Sequence, residues 1–145
     1  MKRAAASLIA LALLVSACGD DAVGGGSTTT VVSGVSGSIH FSGGLEGRDE
    51  TWVLESDGSV LGPDGHTGVI GAEDRVRLEA AVDAADFFDL DAEYLPDDLC
   101  CDRFLYEVTL TRGGVTHAVT TLDGADAPEA LFELIQTFLA AVRPA

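Results

Sequence analysis

The chain has 145 residues, with 24 acidic side chains against 8 basic ones and a formal charge of −16. That balance argues against nucleic acid, whose binding needs clustered positive charge to displace counterions. It argues equally against electrostatic adhesion to anionic lipid. A partner with a basic face would be steered toward such a surface, whereas the plainer role of the acidity is to keep an exposed protein soluble.

Lys2 and Arg3 give the N-terminus a charged start, and Ser7 to Val15 is almost wholly apolar. The apolar run falls far short of the roughly 20 residues a bilayer-spanning helix requires, so it reads as a secretory signal. Val15-Ser16-Ala17-Cys18 resembles the lipobox of bacterial lipoproteins. The resemblance implies that Cys18 is acylated, becomes the new N-terminus and anchors the chain, while residues 1–17 are removed. Because the two residues Lys2 and Arg3 leave with the signal, the formal charge moves from −16 to −18. The implied location is the bacterial cell envelope, on the outer face of the cell membrane or the periplasmic side where two membranes are present. A soluble secreted protein with an incidental cysteine is the alternative. Residues 18–34, with GDDAVGGGSTTTVVSG after the cysteine, read as a flexible tether, about 50 Å long if fully stretched at about 3.3 to 3.6 Å per residue. Residues 35–145 remain for one domain with one core.

Val35, Gly37, Ile39 and Phe41 alternate with Ser36, Ser38, His40 and Ser42, the period of a half-buried strand. Ser42 to Gly47 turns the chain into a second strand through Thr51 to Glu55, and Asp57-Gly58 leads to a short strand, Ser59 to Leu61. Pro63 to Gly68 is loop by composition. From Ala72 the period changes: Leu78, Ala81, Val82 and Ala85 form a helical stripe that Phe87 and Phe88 close, with Glu73 and Asp74 in the first turn. Phe104, Tyr106, Val108 and Leu110 alternate again, Arg112-Gly113-Gly114 turns, and Val115 to Leu122 is the partner strand. Asp126 and Glu129 have capping-box spacing before a last helix, with Pro128 in its first turn and a stripe of Leu131, Leu134, Ile135, Phe138 and Leu139. The expected class is α+β: a single antiparallel sheet of about four or five strands, in ββαββα order, with both helices packed on one face.

Catalytic chemistry is not legible. His40 and His117 sit at strand positions and His66 in a loop, without a second ligand at metal-binding spacing, and no H-E-x-x-H, G-x-S-x-G or phosphate-binding glycine loop occurs. Asp83, Asp86, Asp89 and Asp91 lack the glycine and terminal glutamate of an EF-hand and read as a solvated helix end. No catalytic residue, metal or cofactor is expected. With Cys18 lipidated, Cys100 and Cys101 are the remaining thiols, and they are adjacent. A vicinal disulfide, two free thiols, an intermolecular bridge and a metal role all stay open, although a ring between neighbours lies outside usual disulfide geometry.

Ser42-Gly43-Gly44-x-x-Gly47 after the first strand, Ala85-Asp86-Phe87-Phe88-Asp89-Leu90, Asp102-Arg103-Phe104-x-Tyr106 and Pro128-x-x-Leu131-x-x-Leu134 together resemble the emfourin-like proteins, small bacterial inhibitors of thermolysin-like zinc metallopeptidases. The likeness runs in order through almost the whole domain. The hairpin Ser56 to Val69, Cys100-Cys101 and the tether are this chain's own additions. The resemblance implies tight protein–protein inhibition with no cofactor and a secreted peptidase as partner, and with the lipobox-like segment the expected protein is a membrane-anchored inhibitor. Contact is expected from Ser42, Gly43, Gly44, Leu45, Glu46 and Gly47, helped by the acidic rim Glu46, Asp49 and Glu50, with Gly44 touching the partner and not the core. The loop Asp97 to Asp102 is the alternative contact. A cell-surface binding or structural lipoprotein that inhibits nothing is the alternative function.

Overall fold

The computed structural model describes residues 34–98 and 102–143. The signal segment, Cys18 and the tether up to residue 33 lie outside the described residues, as do Cys100 and Cys101.

Four strands come first: β1 (Ser36–Gly43), β2 (Arg48–Leu54), β3 (Ser59–Leu61) and β4 (Thr67–Val69), with a single 3₁₀ turn at Pro63–Gly65. The helix α1 (Ala72–Ala84) follows, then a 3₁₀ turn at Phe87–Asp89, and β5 (Glu93–Tyr94). The chain closes with β6 (Phe104–Arg112), β7 (Val115–Leu122) and α2 (Glu129–Val142). The strands form one sheet in the order β4-β3-β2-β1-β6-β7-β5.

The α+β class holds, but the strand count and order are corrected. The sheet has seven strands where four or five were expected, and the order is four strands, a helix, three strands, a helix. The extra strands β4 and β5 have three and two residues, too short to show a period. β4 lies in a Pro- and Gly-rich stretch that composition alone assigns to a loop. The sheet is not wholly antiparallel either, since β5 runs parallel to β7. The parallel pairing is open to β5 because it reaches β7 through the long connection 95–114, which contains β6, and not through a tight turn, while α1 carries the chain from β4 to this far edge of the sheet.

β1 is the central strand, antiparallel to β2 and to β6. Its register sets Ile39 beside Trp52 and Val108, and Phe41 beside Tyr106. The inward positions Ile39, Phe41, Trp52, Leu54, Val108, Leu110 and Val119 join one core with Leu78 and Val82 of α1 and the stripe of α2. Every member of the expected α2 stripe, Leu131, Leu134, Ile135, Phe138 and Leu139, is buried. The opposite face carries Ser38, His40, Thr51, Thr109 and Thr120, the polar half of each alternation, and none of these is buried.

Two local expectations are corrected at helix ends. α1 stops at Ala84, before the two phenylalanines, because Asp86 adopts φ +46° and sends Phe87–Asp89 into a separate 3₁₀ turn. Phe87 still fills the core, at 1% exposure. The capping box is not made: Pro128 is itself the N-cap of α2, without a side-chain cap hydrogen bond.

Candidate contact surface at one end of the sheet

Strand directions gather three connections at one end of the sheet. They are the β1–β2 loop, the segment leading into β6, and the turn from β7 to α2, because Gly43 pairs with Arg48 and with Phe104, and Leu105 with Leu122. Backbone hydrogen bonds tie them together. Gly44 N–H donates to the Arg103 carbonyl at 3.3 Å, and Asp123 N–H donates to the Phe104 carbonyl at 2.9 Å. The Arg103 guanidinium donates to the carbonyls of Asp98 and Asp123 and so bridges the second connection to the third.

The four-residue loop 44–47 is built on a β-turn in which Gly47 N–H donates to the Gly44 carbonyl at 3.0 Å. Leu45 sits at its first corner and is 89% exposed. Gly44 has φ +71°, and a Cβ there would lie 2.6 Å from the Phe104 ring. Gly44 is therefore a packing position, which corrects the expectation that it meets only a partner. Gly47, at φ +60°, has nothing within 4 Å of its Cβ position and is the open glycine of the turn. Gly43 is closed off by the Arg103 carbonyl, and Ser42 is half-buried on the polar face of β1.

The expected acidic rim separates into three environments. Glu46 stays at the tip, 77% exposed, with Arg48 Nε at 3.4 Å. Asp49 points to the outer face of the sheet and meets His40 Nε2 at 2.9 Å. Glu50 points inward, 24% exposed, accepting from Trp52 Nε1 at 3.2 Å and from Arg143 at 3.4 Å, with Arg48 at 3.6 Å. It braces the end of α2 against β2 while Arg143 also lies over the Phe41 ring, 4.7 Å from its centre. The acidic character of this end comes instead from Glu46 with Asp97, Asp98, Asp102, Asp123 and Asp126, on the three connections, against Arg48 and Arg103. Tyr106, half-buried behind them, has its phenol pushed up to about 12, first by burial and then by the Asp123 carboxylate.

On the outer face, His40 holds two carboxylates: Glu107 at 2.6 Å from Nδ1 and Asp49 at 2.9 Å from Nε2. The two hydrogen bonds, that to Glu107 first, raise its pKa above 6.5. Sequence spacing could not reveal this trio. Its members lie on β2, β1 and β6 and meet through the register pairs His40 with Glu107 and His40 with Thr51, beside Asp49. His117 is elsewhere, on the core side, with Nε2 2.9 Å from the Leu90 carbonyl and its ring edge-on to Phe87. His66 packs edge-on to Trp52. Among the described residues, no group of three or more His, Cys, Asp or Glu is placed to hold a metal ion.

The family model Emfourin matches residues 66–139, just over half of the chain. The chain belongs to the Emfourin family. The Emfourin match runs from the turn before β4 into α2, so it includes the segment 97–103 and the β7–α2 turn but not the β1–β2 loop. That loop is joined to the matched part through Gly44, Arg103 and Phe104. Among curated proteins there is no match to the chain.

Proposed function

We propose that this protein is an inhibitor of a thermolysin-like zinc metallopeptidase, tethered to the cell envelope by a lipid on Cys18, and that it meets its target with the loop-rich end of the sheet. Membership of the Emfourin family, a family of metallopeptidase inhibitors, is the observation that carries this reading. The surface described above supports it: the two connections inside the matched region and the β1–β2 tip form one hydrogen-bonded platform, acidic in sum. An inhibitor needs complementarity to its target and no reacting group of its own, so activity rests on the rigidity of this platform. The lipobox-like Val15-Ser16-Ala17-Cys18 supports the tether, which would confine inhibition to peptidases passing the cell surface.

The test is titration of the full-length protein, in mild detergent, against thermolysin and a panel of secreted thermolysin-like peptidases. Stoichiometric loss of peptidase activity is expected, with the inhibitor intact on a gel and no requirement for added metal. Full activity in every panel member would favour the non-inhibitory surface lipoprotein.

A further inference from the structure

Five large apolar side chains are strongly exposed among the described residues: Leu45 at 89%, Leu61 at 48%, Val69 at 76%, Val76 at 69% and Val115 at 60%. Single exposed hydrophobes are ordinary on a protein surface. Leu45 differs from the other four by its setting. The others belong to strands or to α1, whereas Leu45 occupies the corner of a β-turn, a position that polar residues and proline usually take. It contributes almost nothing to the core. Yet its backbone is held firmly, by Gly47 N–H on the Gly44 carbonyl, by Gly44 N–H on the Arg103 carbonyl and by the Phe104 ring under Gly44. A leucine presented on a braced tip loses little freedom on binding. The three connections that meet at this end of the sheet carry the carboxylates of Glu46, Asp97, Asp98, Asp102, Asp123 and Asp126.

We propose, building on the inhibitor reading above, that Leu45 is the anchor of the interface, inserting into an apolar pocket of the target peptidase whose mouth is lined by basic side chains. The tip is the same shape of device as a central apolar hot spot inside a polar rim. A lipid surface is the other class of apolar acceptor within reach of a tethered protein. The acidic rim disfavours it, because the carboxylates would face anionic headgroups as like charges.

The experiment compares full-length parent, Leu45→Ala, Leu45→Met and Val115→Ala for inhibition of a panel peptidase that the parent inhibits. Leu45→Ala should weaken inhibition about tenfold or more, chiefly through faster dissociation, since a leucine would no longer be buried at the interface. Leu45→Met, of similar volume, should stay within about threefold of the parent. Val115→Ala, another exposed residue at the far end of the sheet, should match the parent. All four should melt together. Leu45→Ala inhibiting as well as the parent would overturn the anchor while leaving the inhibitor reading in place. A parent that inhibits no panel member would remove the inhibitor reading and the anchor with it. Vesicles containing phosphatidylglycerol, added to unlipidated Cys18→Ser protein, supply the last arm: binding that disappears with Leu45→Ala would overturn the proposal by assigning the tip to lipid.

Discussion

At the scale of single residues, the informative positions are those where two strands or loops meet. His40 is held between Glu107 and Asp49, and its raised pKa ties stability to pH. Because the folded-state pKa lies above the unfolded value of about 6.5, the contribution is fully present below that value and is lost as pH rises through the folded pKa. All three side chains are at least partly exposed, so it should amount to less than about 1 kcal/mol. Thermal melts across this window should show the parent losing an advantage over His40→Gln as pH rises, and parallel melts at every pH would remove the histidine as the source. Gly44 makes the opposite kind of prediction. A tryptophan there must adopt φ +71° with its Cβ 2.6 Å from the Phe104 ring. Gly44→Trp should therefore lower stability by about 1–3 kcal/mol, seen as an earlier denaturant midpoint.

At the scale of elements, α2 is the main support of the sheet. Five stripe positions and Val142 are buried, and Phe138 is at 0% exposure in the middle of them. Phe138→Ala should cost about 3–5 kcal/mol, a large share of the 5–15 kcal/mol typical of a domain, and the midpoint of chemical denaturation should show it. The stripe was legible in the sequence because 3.6-residue periodicity over fourteen residues is a strong signal. β4 and β5 gave no such signal. Three and two residues cannot display alternation, and what makes them strands is the hydrogen bonding of β3 and β7 beside them.

At the scale of the whole molecule, the two consequences that matter are where the chain is held and what its charge does. If Cys18 carries the anchor, Cys18→Ser should leave the detergent phase for the aqueous phase on cloud-point separation and lose the mass of the acyl groups. Partitioning and mass matching the parent, apart from the substitution itself, would overturn the anchor. Charge acts over a distance of about 8–10 Å at physiological salt and mainly on encounter. Replacing Glu46, Asp97 and Asp126 together by their amides should slow association with an inhibited peptidase by about tenfold at low salt and flatten its salt dependence, with little change in dissociation. Stopped-flow or surface-binding kinetics would read both rates.

Some of this was within reach of the sequence alone: the inward residues of β1 and β6, the existence of β2 and β7, both long helices, the α+β class and the family resemblance. Each rests on a local repeat or a short ordered motif, and local periodicity reports burial before any partner is known. The number of strands, the parallel β5, the His40 trio and the inward turn of Glu50 depended on the tertiary structure. Those features join residues far apart in the chain, as with His40 and Glu107 or Glu50 and Arg143. Adjacent acids show the point most plainly: Asp49 and Glu50 look equivalent as a pair, but neighbouring strand residues point to opposite faces, so one meets a histidine on the solvent face while the other is clasped by Trp52 and Arg143.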